Sequence, residues 1–147
     1  MEVYIISYST SFTQGITLLL IMHSMHEKCQ SKTVPTKILA EYAGIPFATT
    51  AKTIKSLNVA GIISSKEGAG GGSMLSKSIS QITLLDIFMA VEQDAPLFKI
   101  HTGINCDFSY VDDLKKRVEI CIDKASDVMK DSLKNITLSD IWTGKIC

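Results

Sequence analysis

The chain has 147 residues, 46% of them apolar and 20% charged, with fifteen Lys and Arg against fifteen Asp and Glu. That length fits one domain, or a small domain with an added oligomerisation element, and that apolar content excludes a disordered chain. The zero net charge by itself argues against a nucleic-acid binder, yet residues 1–82 hold seven lysines against four acids while residues 83–147 hold seven lysines and Arg117 against eleven acids. A basic front half and an acidic back half imply two jobs, one of them facing an anion.

The opening MEVYIISY carries an acid and no basic segment, so it does not read as a secretory leader. The longest apolar run, GITLLLIM at 15–22, falls far short of the roughly 20 residues a bilayer span needs. A cytoplasmic protein with no membrane partner is expected. MEVYIISY has no assigned role; a strand, a dimer strap and a start set too early all fit it. From Ser11 to Met25, SFTQGITLLLIMHSM sets Phe12, Ile16, Leu19, Leu20 and His23 at helical intervals, which predicts a core helix.

After the polar KCQSKT, Pro35 marks a helix start, Ile38, Leu39, Tyr42 and Ala43 keep the spacing, and Gly44 stops it. Beyond the break at 44–46, PFATTAKTIKSLNVAG predicts a second helix ending at Gly61. Its inward stripe is expected to be Phe47, Ala51, Ile54, Leu57 and Ala60, leaving Thr49, Thr50, Lys52, Thr53, Lys55 and Ser56 outward. No acid lies on that outer face, whereas a merely solvated face mixes both signs. Two short helices joined by a tight turn, the second with a neutral-to-basic face, make a helix-turn-helix.

Ile62 and Ile63, a glycine run and an extended piece through Leu75 predict a β-hairpin. Glycines between lysines in KEGAGGGSMLSK, 66–77, invite a phosphate-cradle reading, which fails on spacing. A P-loop needs a glycine where Ser76 stands, and Gly68-x-Gly70-x-x-Ser73 lacks the third glycine of a dinucleotide fingerprint. A flexible hairpin directly behind a helix-turn-helix is instead a wing.

ITLLDIFMAVEQ, 82–93, starts with Thr83 and has Asp86 three residues on, the spacing of a capping box ahead of an amphipathic helix. ITLSDIW, 136–142, repeats the phrase with Thr137 and Asp140, read as shared capping chemistry and not as a repeat architecture. Residues 95–108 form a loop of mixed character. From 110 to 133, Val111, Leu114, Val118, Cys121, Ile122, Ala125, Val128, Met129 and Leu133 step by threes and fours, which predicts one long helix. Outside a domain already supplied with a core, such a stripe is expected to pack against a second copy. The expected fold is mostly α with a small β-hairpin: a winged helix-turn-helix domain at 9–82, then at 83–147 a capped helix, a loop and a long C-terminal dimerisation helix.

This order of elements resembles the Rrf2 family of bacterial winged-helix regulators over nearly the whole chain after about Ser9. LNVAGIISSKEGAGGGSML is similar to that family's L-x-x-A-G-L-V-x-S-x-x-G-x-x-G-G-Y-x-L, and ITLLDIFMAVE to its I-T-L-x-D-I-x-x-A-V-E. The resemblance implies a homodimer on double-stranded DNA at a palindromic operator, the third helix in the major groove and the wing at the adjacent minor groove. It nominates Thr36 and Lys37, then Thr49, Thr50, Lys52 and Thr53 for the bases, with Lys32, Lys37, Lys55, Lys66 and Lys77 on phosphates and Gly70, Gly71 and Gly72 in the wing. Two departures stand out. Ser73 and Met74 occupy places where the family has Tyr and often a basic residue, and residues 1–82 contain no arginine, so the bidentate guanine contact is missing. Useful affinity is therefore expected to need the dimer, formed through residues 110–134.

The four cysteines, Cys29, Cys106, Cys121 and Cys147, are widely separated and form no CxxC pair, which fits reduced thiols better than a zinc knuckle. Cluster-binding relatives carry three cysteines between the capped helix and the long helix. This chain has only Cys106 there, and a cluster needs about four soft ligands, so no cofactor is expected. His101 and Cys106 fall short of the three or four ligands of a stable metal site. By resemblance to cluster-free thiol sensors, Cys29, beside Lys28, and Cys106, beside Asp107, are candidate redox thiols, joined as a disulfide between subunits. No nucleophile with a base and no paired acids come forward, so no enzyme is expected. The expected function is a dimeric DNA-binding repressor responsive to a thiol-oxidising or small-molecule signal; the alternative is a winged-helix protein-interaction module that does not bind DNA.

Overall fold

The computed structural model describes residues 9–93, 96–101, 103 and 109–145; MEVYIISY, Cys106 and Cys147 lie outside them. Helix α1 spans Ser11–Cys29, α2 Thr36–Ala43 and α3 Phe47–Val59. Strands β1, Ile63–Lys66, and β2, Gly72–Leu75, follow, then α4 at Leu84–Glu92, α5 at Val111–Lys134 and α6 at Leu138–Thr143. The fold is mostly helical with one small hairpin, as its spacing predicts.

Helix α1 runs four residues past Met25, to Cys29, with His26 and Lys28 in its last turn, where cations suit the negative end of the helix dipole. Its buried face is Leu18, Leu19 and Met22. The turn between α2 and α3 is set by residue type. Gly44 takes a left-handed φ of +64° that a side chain would resist, Ile45 plugs the corner, and Pro46 leads extended into α3.

The hairpin is antiparallel, with Ile63 opposite Leu75 and Lys66 opposite Gly72. Its second strand has another neighbour. Val34 and Ser73 exchange backbone hydrogen bonds of 2.9 Å in both directions, tying the wing to the segment that leads into α2. That contact explains part of the glycine run: a Cβ on Gly72 would lie 2.5 Å from the Val34 carbonyl carbon and oxygen.

One apolar core joins all of this. Leu18, Leu19, Leu39, Leu57, Ile63, Ile87 and Leu138 are essentially inaccessible to water, each contributing about 1.5–3 kcal/mol relative to exposure. Leu84 and Ile87 of α4 and Leu138 of α6 belong to that core as well. Both capping boxes form: Thr83 with Asp86, and Thr137 with Asp140. The two ITL phrases also meet. Thr83 and Thr137 form an antiparallel bridge, the Leu84 N–H donates to the Ile136 carbonyl at 2.8 Å, and the Leu138 N–H donates to the Ile82 carbonyl at 3.0 Å. The recurrence is thus capping chemistry and also a clasp that returns the end of α5 to the core.

Candidate nucleic-acid interface

Helix α3 has its inner face rotated from the expected stripe. Thr50 is fully buried and Thr53 nearly so, beside Ile54 and Leu57, while Phe47 and Ala60 are exposed. Both threonines solve the burial of a hydroxyl by donating back into the backbone. Thr50 Oγ1 donates to the Pro46 carbonyl at 3.2 Å and Thr53 Oγ1 to the Thr49 carbonyl at 3.0 Å. The expectation that Thr50 and Thr53 face bases is therefore corrected: they are core residues. Thr49 is half-buried, and Ser56, also half-buried, accepts a hydrogen bond from Gln93 Nε2 at 3.2 Å.

What remains outward on α3 is Phe47, Ala48, Lys52, Lys55, Asn58 and Val59, all exposed. Lys52 and Lys55 lie three residues apart, hence on adjoining turns of one face. The first turn adds a property that spacing alone does not mark. Pro46 supplies no side-chain cap and no acid sits in that turn, so no side chain of the helix start caps the leading N–H groups of α3. Phe47, 58% exposed, and Ala48 stand in the same turn, apolar groups of the sort that touch thymine methyls. The cue for these two in the chain is their place directly after Pro46, since a recognition helix reads with its N-terminal residues.

The other nominated cations lie on other parts of the chain. Lys32, Lys37, Lys66 and Lys77 are all exposed, with Thr36 half-buried at the first position of α2. Within the wing, the Gly70 carbonyl accepts from Thr33 Oγ1 at 2.9 Å, and the Gly71 N–H donates to the Gly68 carbonyl at 2.9 Å. Gly71 and Gly72 are half-buried, so turn geometry and the approach to Val34 account for them; Gly70 is exposed.

Helix α5 is about 36 Å long at 1.5 Å per residue and has no buried residue. Its stripe is split: Val111, Ile122, Met129 and Leu133 are half-buried, whereas Leu114, Val118, Cys121, Ala125 and Val128 are exposed. Cys29 is exposed at the end of α1, and Cys106 lies outside the described residues, so their pairing has no distance to test. Among the described residues no three His, Cys, Asp or Glu side chains gather as a metal site, and no helix is long and apolar enough to cross a membrane.

The model of the Rrf2 family, described as an iron-dependent transcriptional regulator, matches residues 8–144. The chain is 25% identical over 135 residues to the HTH-type transcriptional regulator YffB of Lactococcus lactis, covering 90% of this chain and 85% of that one. Its fold is similar to that of IscR from T. potens, with a TM-score of 0.61 at 21% identity over 96% of this chain and 89% of that one. It is likewise similar to CymR, the global cysteine regulator of B. subtilis, with a TM-score of 0.65 at 21% identity over 93% and 96% of the two chains. The cysteines in the sequence do not fit an iron–sulfur centre. One cysteine stands between α4 and α5 where an iron–sulfur centre needs about four soft ligands. With a helix-turn-helix, a glycine-tipped hairpin packed beside it and a family match over nearly its full length, the chain belongs to the Rrf2 family and is a DNA-binding transcriptional regulator of that type.

Proposed function

We propose that two copies of the chain form a repressor on a palindromic operator, α3 of each copy in the major groove and the wing at the adjacent minor groove. The observation that carries this reading is the outer face of α3: Lys52 and Lys55 exposed together on a helix without acids, behind a first turn whose N–H groups carry no side-chain cap. Base reading falls to Lys52 and Thr49, with Phe47 and Ala48 for apolar contact. Phosphates fall to Lys32, Lys37, Lys55, Lys66 and Lys77, with Thr36 and Gly70 at the margins. The exposed edge of the α5 stripe supports the second copy, since an apolar row left in water is a free-energy cost that a symmetric partner removes. Acting on DNA in this way, the protein works in the cytoplasm. Oxidation of Cys29 against Cys106 of a partner copy is the signal this reading carries, and a diamide-induced crosslinked dimer is its check.

A labelled duplex from upstream of its own reading frame, titrated across a salt series, tests the proposal. A specific complex whose affinity falls steeply with salt is expected. Salt-insensitive or absent binding sinks the repressor and favours a protein-interaction module. Lys52→Glu is expected to abolish the complex while leaving the dimer mass unchanged.

A further inference from the structure

Between α1, the 31–34 segment and β2 lies a cavity of about 300 Å³, at the low end of the roughly 300–1,000 Å³ range of small-molecule sites. Core side chains form its apolar wall: Met22, Val34 and Leu75. Lys32 and Lys77 reach it from the 31–34 segment and from just beyond β2, with His23 and His26 from α1; Glu27 is its one acid. Hydrocarbon surface beside two lysines suits a ligand with an apolar body and an anionic head, because the body leaves water while the head keeps a counter-charge.

We infer that this cavity binds a small organic acid, a carboxylate on a short hydrocarbon body, and that the acid lowers operator affinity. The coupling rests on the operator reading above, in which Lys32 and Lys77 contact phosphates. A carboxylate held between them carries one negative charge and so cancels one of the two positive charges that the DNA would otherwise engage. The occupant also lies against Val34 and Ser73, whose paired backbones anchor the wing to the segment before α2. Acid and operator therefore oppose each other, and by linkage the operator weakens the acid by the same factor.

The fold contains a reporter for the site. Trp142, the only tryptophan, meets His23 edge-on with ring centroids 4.8 Å apart, so a ligand touching His23 alters the environment of Trp142. The test is a titration of the full-length free protein with hexanoate, followed by Trp142 emission, with hexanol and hexylamine as charge controls. A saturable change with hexanoate is expected, roughly tenfold or more tighter than with either control. The Lys32→Gln, Lys77→Gln double variant, altered at two exposed positions and checked for native helix content, is expected to lose it. No saturable response to hexanoate, an equal response to hexanol, or an undiminished response in the double variant overturns the site. This arm uses no DNA, so it decides the site even if the operator reading fails. In the operator assay, saturating hexanoate is expected to weaken binding roughly 5- to 150-fold and to flatten the log–log salt slope by about 0.9 per protomer, for the one positive charge it cancels. An unchanged slope with the fluorescence response intact overturns the shared use of the lysines.

Discussion

Threonine is the residue whose role this structure changes most. On a helix its methyl and hydroxyl suit either a solvent face or a core face, because the hydroxyl can bond to the carbonyl one turn back. Thr50 takes the second course, wholly buried with its hydroxyl spent on the Pro46 carbonyl, while Lys52 two positions away stands in solvent. Thr50→Val keeps the shape and removes only that hydroxyl. It is expected to lower stability by about 0.5–1.5 kcal/mol, read by thermal or urea unfolding, and to leave operator affinity of the folded dimer unchanged. A selective loss of DNA binding in Thr50→Val would return this residue to the interface.

At the scale of elements, α6 and α5 make separate demands. The Asp140 carboxylate accepts from the Thr137 N–H and hydroxyl, each at 2.8 Å, and these bonds hold its pKa below the ordinary carboxylate range, with Lys145 adding a favourable charge. A carboxyl whose folded pKa is depressed gives stability that is complete above its unfolded pKa and lost as pH falls through the folded one. Acidification below about pH 4 is therefore expected to loosen α6 from the core, seen as a change in Trp142 emission. Asp140→Asn, which does not titrate there, is expected to flatten that acid transition. Helix α5 shows the opposite kind of dependence, on something outside its own chain. Val128 is 70% exposed, so Val128→Lys places a charge in water in the single chain but inside the proposed dimer seam. Sedimentation is expected to show monomers with unchanged helix content; a persistent dimer would move the seam elsewhere.

For the whole molecule, the uneven charge and the missing arginines combine into one expectation. Six exposed lysines on one copy, with no guanidinium to grip guanine, give an interface that is weak alone and acceptable when doubled. In the proposed dimer, joining two copies through α5 would turn the second half-site into an intramolecular event. The monomeric Val128→Lys variant is expected to lose about 10²–10⁴-fold on the full palindrome relative to wild type, and to bind a palindrome no better than a half-site. Equal affinity of the two proteins for the palindrome would show that each half-site is bound on its own.

Most of the elements were legible in the chain because their signals are local. Pro35, Gly44 and Pro46 bracket two helices, the Thr-x-x-Asp spacing starts two more, and steps of three and four run the length of α5. Such signals involve residues within about four positions of each other, and no distant partner has to be known. The face of α3 that turns inward was not legible, because Thr50 is buried by elements far away in sequence and its own composition is neutral on the matter. The same holds for Gly72, required by the backbone of Val34 thirty-eight positions earlier, and for the two ITL phrases, which look alike in the chain but bond only once α5 has turned back. The sequence by itself determined the elements, their caps and the family. Tertiary structure decided which side chains of α3 stay exposed, since burial is a property of where a residue ends up and not of what it is.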